Sequence, residues 1–101
     1  MSDETYEVVN NRENQQFEVH LNGELAQLTY RYYKKDIALM HTTVPDSLAG
    51  KGVASALARA AFAFAEAEKK LVMVYCPFVA AFIKNHPEYR RQLDPAYYGK
   101  S

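Results

Sequence analysis

At 101 residues, with 49% hydrophobic, 24% charged and 13% aromatic side chains, the chain has the size and composition of one globular domain spanning 1–101. It is too apolar for disorder and too mixed for a fibre. Formal net charge is zero, and the pairs Lys34-Lys35, Lys69-Lys70 and Arg90-Arg91 are scattered among carboxylates, which argues against nucleic acid as a partner. One cysteine, Cys76, and three scattered histidines argue against a disulfide framework and a structural zinc site, so no metal is expected. The N-terminus is polar and no apolar run reaches the ~20 residues that span a bilayer, so the expected setting is cytoplasmic, without membrane attachment.

In chain order, Tyr6 to Val9 is a short β-type run, and Phe17, Val19 and Leu21 alternate with polar residues as in a half-buried strand. Asn22-Gly23 supplies a type I′ hairpin turn, because both residues tolerate positive φ, and Leu25 to Tyr33 is expected to return antiparallel. Lys34, Lys35 and Asp36 form the next turn. Ile37 to Val44 then reads as a nearly continuous apolar strand covered on both faces. From Gly52 to Lys70 the period becomes helical, with Val53, Leu57, Ala61, Phe64 and Ala65 on one face. Leu71 to Tyr75 is a buried strand; joined to the previous strand through one helix, it implies a parallel pair with a right-handed crossover. Pro77 opens a second helix with Phe78, Val79, Phe82 and Ile83 on its apolar face, stopped by Asn85, His86 and Pro87. The tail, with Tyr89, Tyr97 and Tyr98, carries no assignable pattern. The fold class is α+β: a mixed sheet, mainly antiparallel with one parallel pair, and two main helices.

The informative segment is the turn from Val44 to Val53, reading PDSLAGKGVA, which delivers a strand into a helix N-terminus. Glycines there let backbone amides approach a ligand, and a helix N-terminus offers unpaired donors with positive partial charge, so the natural guest is an anion. A Walker A loop needs Ser or Thr after its lysine, and Gly52 follows Lys51. The dinucleotide fingerprint lacks its third glycine, and the next strand ends at Tyr75 rather than an acid. A plain turn with no ligand stays open on these residues alone.

The runs HTTVPDSLAGKGVASAL, LVMVYCPF and VAAFIKNHPEY together resemble the short, single-domain branch of the GNAT acetyltransferase superfamily, from about Phe17 to Tyr89. The resemblance implies that acetyl-CoA or CoA is bound with its pyrophosphate against Gly50, Lys51, Gly52, Val53, Ala54 and Ser55. Ala49 stands where the family usually carries Arg or Gln. It implies further that the Ile37 strand and the Leu71 strand splay, and that pantetheine pairs with the backbone of Thr42, Thr43 and Val44. Asn85 falls where the family often contacts cofactor, and is equally a helix C-terminal residue.

Two residues are candidates for the chemistry. Cys76 precedes Pro77 and so takes the N-cap of the last helix, where the dipole favours a thiolate; an inert packed thiol is the competing reading. His41 is expected on the same sheet face as Leu39 and Ile37, either as a core histidine or as a base. Thr43 stands where relatives of this pattern often carry Glu, which leaves His41 or Cys76 to act. Family members typically insert two helices between their first two strands, and this chain has no room for them, so the acceptor site should be open. The expected function is acetyl transfer to an amine on a protein or peptide, by a monomer or weak homodimer; the alternative is a CoA-binding module with little or no catalysis.

Overall fold

The computed structural model describes residues 6–95, so Tyr97 and Tyr98 lie outside it. Five strands form one sheet in the order β1 (Val9–Asn11), β2 (Gln16–Leu21), β3 (Glu24–Tyr33), β4 (Asp36–Thr43) and β5 (Leu71–Val74). The first three pairings are antiparallel, and β4 with β5 is parallel. Asn22 and Gly23 turn the β2–β3 hairpin with φ of 54° and 75°, the left-handed pair that matches strand twist. The β3–β4 turn is two residues, Lys34-Lys35. Asp36 is already in β4, opposite Tyr33, a correction to the expected three-residue turn.

Phe17, Val19, Ala26, Leu28, Tyr30, Ile37, Leu39 and Val72 point to one face of the sheet and form the core with the helices. Helix α1 (Val53–Ala67) buries Val53, Leu57, Ala58, Ala61, Phe62 and Ala65 there. Four of the six are Ala or Val, which brings the helix axis close to the strands, and each larger side chain contributes ~1.5–3 kcal/mol by leaving water. Helix α2 (Pro77–Asn85) adds Val79, Phe82 and Ile83 to the same core. Phe62, rather than Phe64, is the fully buried aromatic of α1. It stacks on Tyr89 at 4.8 Å, and its carbonyl accepts from the Gln92 side chain at 2.9 Å. The described part of the unassigned tail is thereby placed: a 3-10 turn over Pro87–Gln92, with Leu93 bridging to Val72.

Both helices pack on that one face. β1 and β2 are joined by the short turn 12–15, so nothing in the described chain lies over the other face as a second helical layer. The expectation that β4 is covered on both faces holds for Asp36 to Leu39, all buried, but not beyond, where His41 and Thr43 are exposed.

The change follows from an irregularity. Tyr30 pairs with Leu39, yet the neighbouring Thr29 pairs with His41, so Met40 is an extra residue in β4. A bulge of one residue reverses the alternation beyond it. His41 therefore shares the helix-free face with its partner Thr29, while Thr42, opposite core residue Leu28, turns to the helix side. The expectation that His41 lies on the face of Leu39 and Ile37 is corrected accordingly. The Thr29 hydroxyl serves the bulged backbone, accepting from the His41 amide at 3.2 Å and donating to its carbonyl at 3.4 Å.

The strand expected at Tyr6 to Val9 lies later, at Val9–Asn11. Tyr6 leaves the sheet instead, and its hydroxyl donates to the Lys51 carbonyl at 2.7 Å.

Two carboxylates on the sheet are buried, Glu18 and Asp36. Side-chain hydrogen bonds from Gln16, His20 and Asn11 hold the Glu18 carboxyl below its ordinary value of 4.5. Asp36 is pushed above its ordinary 3.8, first by burial and then by the Asp94 carboxyl beside it, with Lys35 and Lys70 pulling weakly the other way. Its Oδ1 finds no partner among the described residues. Glu18 therefore contributes stability above about 4.5 that is lost as pH falls through its lowered folded value. Asp36 acts in the opposite sense: the folded state holds its proton more tightly than the unfolded chain, so its contribution is present below 3.8 and lost as pH rises through the raised folded value. The expected result is that Asp36→Asn gains thermal stability over the wild type as pH rises from about 4 to 7. A melting-temperature difference independent of pH would refute it.

Candidate functional site

Beyond Thr43 the chain passes Val44 and Pro45 into a 3-10 turn, Asp46–Leu48. Leu48 is buried and anchors this turn in the core. Gly50 and Gly52 then adopt φ of 75° and 82°. A Cβ at either glycine would meet nothing within 4 Å, so the requirement for glycine is set by backbone angle rather than space. Gly52 is the N-cap of α1; no side chain caps the helix and its first turn holds no acid. The amides of Val53, Ala54 and Ser55 precede the first helical bond, Ala56 N–H to Gly52 C=O at 3.0 Å. They therefore point outward as unpaired donors at the positive end of a 15-residue helix.

These amides open onto a cleft of about 460 Å³, lined by Thr42, Val44, Leu48, Ala49, Gly50, Gly52, Val53, Ala54, Ser55 and Phe78. Seven of the residues singled out in the sequence are thus brought together: Thr42, Val44, Gly50, Gly52, Val53, Ala54 and Ser55. Three others are not part of the lining. Lys51 is exposed on the outside of the loop, with its carbonyl held by Tyr6. Thr43 faces the helix-free side. Asn85 is exposed at the last turn of α2, whereas the cleft meets the first turn of that helix through Phe78. Eight residues of helix separate Asn85 from Pro77, roughly 12 Å. Phe78 was visible in the sequence only as part of an apolar face; its place in the first turn after Pro77 was the available signal.

The cleft continues into the sheet. Pairing between β4 and β5 runs from Asp36 with Leu71 to Leu39 with Val74 and closes with the Tyr75 amide on the Leu39 carbonyl at 2.9 Å. β4 then continues alongside β3 to Thr43 while the other strand turns into α2. The parallel pair therefore parts at the bulge. Met40 to Val44 form one wall of a slot, and the first turn of α2 stands opposite.

Cys76 is the N-cap of α2 and only 2% exposed. Its Sγ and the Thr42 Oγ1 share a hydrogen bond at 3.0 Å. Thr42 lines the cleft and Cys76 does not, so the thiol lies behind the Thr42 side chain. His41 lies on the opposite side of the sheet. The two candidate catalytic residues are not brought into contact; they flank the slot from its two faces. On the helix-free side His41 and Met40 border a depression of about 490 Å³ with Thr29, Arg31, Asn14, Gln15 and Tyr30.

A family model described as GCN5-related N-acetyl-transferase matches residues 16–93. The chain is 40% identical over 93 residues to Protein NATD1 of Bos taurus, covering 87% of this chain and 82% of that protein. It is 38% identical to Protein NATD1 of Homo sapiens, with 87% and 82% covered. The solution structure of a GCN5-like candidate N-acetyltransferase from Staphylococcus aureus superposes with a TM-score of 0.70 at 25% identity, covering 89% of each chain. The mostly antiparallel sheet with one parallel pair and two main helices accords with these matches, and the chain belongs to the GCN5-related N-acetyltransferase family.

Proposed function

We propose that the protein is an acetyl-CoA-dependent N-acetyltransferase acting on an amine of a protein or peptide. The observation that carries this reading is the continuity of the cleft at the uncapped N-terminus of α1 with the slot between β4 and α2. The amides from Gly50 to Ser55 hold the pyrophosphate, and Lys51 places a cation outside the same loop. The wall from Thr42 to Val44 aligns pantetheine along the unpaired edge of β4, leading the thioester toward His41. Bound acetyl-CoA supplies an activated carbonyl. His41 takes a proton from the acceptor ammonium, the freed nitrogen attacks the carbonyl from the helix-free side, the carbon–sulfur bond breaks, and the CoA sulfur leaves toward Thr42 and Cys76, its new proton balanced by the second one that the nitrogen loses.

Direct transfer fits the site better than a covalent relay. Cys76 is buried behind Thr42, and moving acetyl from one thioester to another lowers no difficult barrier. Its role is to position the Thr42 hydroxyl, through which it reaches the departing sulfur. The uncovered face suits an acceptor too large to be enclosed.

A second reading, a CoA-binding module without turnover, draws on Ala49 in the cleft wall and Thr43 on the acceptor side, neither of which supplies charge. Calorimetry with CoA is the first test. Binding is expected, and no heat and no thermal shift at about millimolar CoA would sink both readings. Binding without transfer to any amine would leave the module.

A further inference from the structure

Within that proposed function, we propose that the acceptor carries a carboxylate close to its reactive amine and that Arg31 selects it. Arg31 and His41 lie on the same, helix-free face: Thr29 is opposite His41, and Arg31, two residues and ~6.8 Å beyond Thr29 along β3, stands on the diagonal from His41. Both line the depression that reaches the bulge where β4 and β5 part. No carboxylate among the described residues lines it. An amine placed against His41 therefore has one charged neighbour within reach, a guanidinium.

Arg31 is also spare. Among the described residues Arg12 sits over Phe64 and beside Glu68, Lys34 over Tyr33, Arg59 over Phe82 and Lys70 over Tyr32. Among the described residues Arg31 has no ion pair, ring contact or side-chain hydrogen bond of this kind, and it is exposed. The nearest buried acid, Glu18, lies on β2 opposite Gln27 rather than in Arg31's row. Both of its oxygens are taken, Oε1 by His20 and Oε2 by Asn11 and Gln16, so it does not compensate Arg31. A guanidinium presents a planar fork that fits a carboxylate in two parallel hydrogen bonds. Its offset of ~6.8 Å from His41 along the strand direction equals the spacing of alternate residues in an extended peptide. The acceptor chemistry is thus an amine with a carboxylate about 7 Å away. An acidic residue two positions from a lysine provides this, and so does the α-carboxylate of free lysine.

The test compares kcat/KM of the wild type and Arg31→Glu for acetyl transfer to the peptides Lys-Ala-Glu, Lys-Ala-Gln and Lys-Ala-Lys, capped at both termini, and to free lysine. The wild type should favour Lys-Ala-Glu over Lys-Ala-Lys by about tenfold, the low end for a charge-assisted pair because Arg31 is exposed. Arg31→Glu should reverse that order while CoA affinity, read by calorimetry, is unchanged. Preference for free lysine over the acidic peptide would identify an amino acid as the source of the carboxylate, and the opposite preference a protein segment. The same peptide order in both proteins overturns the inference and leaves the acetyltransferase reading standing. Absence of transfer to every acceptor, with CoA still bound, overturns the transferase reading and the inference with it.

Discussion

Replacing Gly52 with valine is expected to weaken CoA binding by roughly a hundredfold or more. The residue sits at φ 82°, where a β-branched side chain strains against its own backbone by ~1–2 kcal/mol or more. That strain is relieved only by rotating the loop, and rotation turns away the amides of Val53 to Ser55. Each hydrogen bond to a charged partner is worth ~1.5–3 kcal/mol, so the loss of two accounts for the expected factor. Gly23 supplies the control. It has φ 75° in the β2–β3 hairpin and is not among the cleft-lining residues, so Gly23→Val should cost comparable stability in thermal denaturation while leaving CoA affinity near wild type. If calorimetry finds both variants binding CoA alike, the glycine turn is not the pyrophosphate site.

The second large effect concerns His41. As the base for a protonated amine, its loss in His41→Ala should lower kcat by about 10²–10⁴ at neutral pH, with CoA affinity and melting temperature little changed. The dependence on pH separates this from a structural role. A lysine amine has a pKa near 10.4, so as pH approaches that value the acceptor arrives already deprotonated and the variant's deficit should shrink. A deficit that is constant from about pH 7 to 9.5 would argue against His41 as the base. Cys76→Ala serves as the comparison, because a thiol that acts through Thr42 should cost less than tenfold in kcat.

The local elements of this protein were readable because their causes are local. Asn22-Gly23 is the pair of residues that a two-residue hairpin requires, and Gly52 followed by a helical period places the start of α1. Pro77 marks the start of α2 through its fixed φ and missing amide. The same logic put seven cleft-lining residues within a few positions of one turn, since a strand end and a helix start that are adjacent in sequence must be adjacent in space.

The remainder was decided by contacts between distant segments, which leave no period in the sequence. The face on which His41 lies depends on one extra residue, Met40, accommodated because the Thr29 side chain on another strand satisfies the bulged backbone. Strand alternation read through Met40 without that partner assigns the wrong face. Asp36 reads as a turn residue until the Asp94 carboxyl, 58 positions later in sequence, is seen beside it to help keep its proton. Tyr6 belongs to the glycine loop rather than to β1 because its hydroxyl finds the Lys51 carbonyl, and Cys76 backs Thr42 only because α2 folds onto β4. Residue type and spacing determined which groups were available to bind an anion and move a proton. Cross-strand register and helix packing, which arise only when the whole chain collapses on one core, determined which side of the sheet each of them serves.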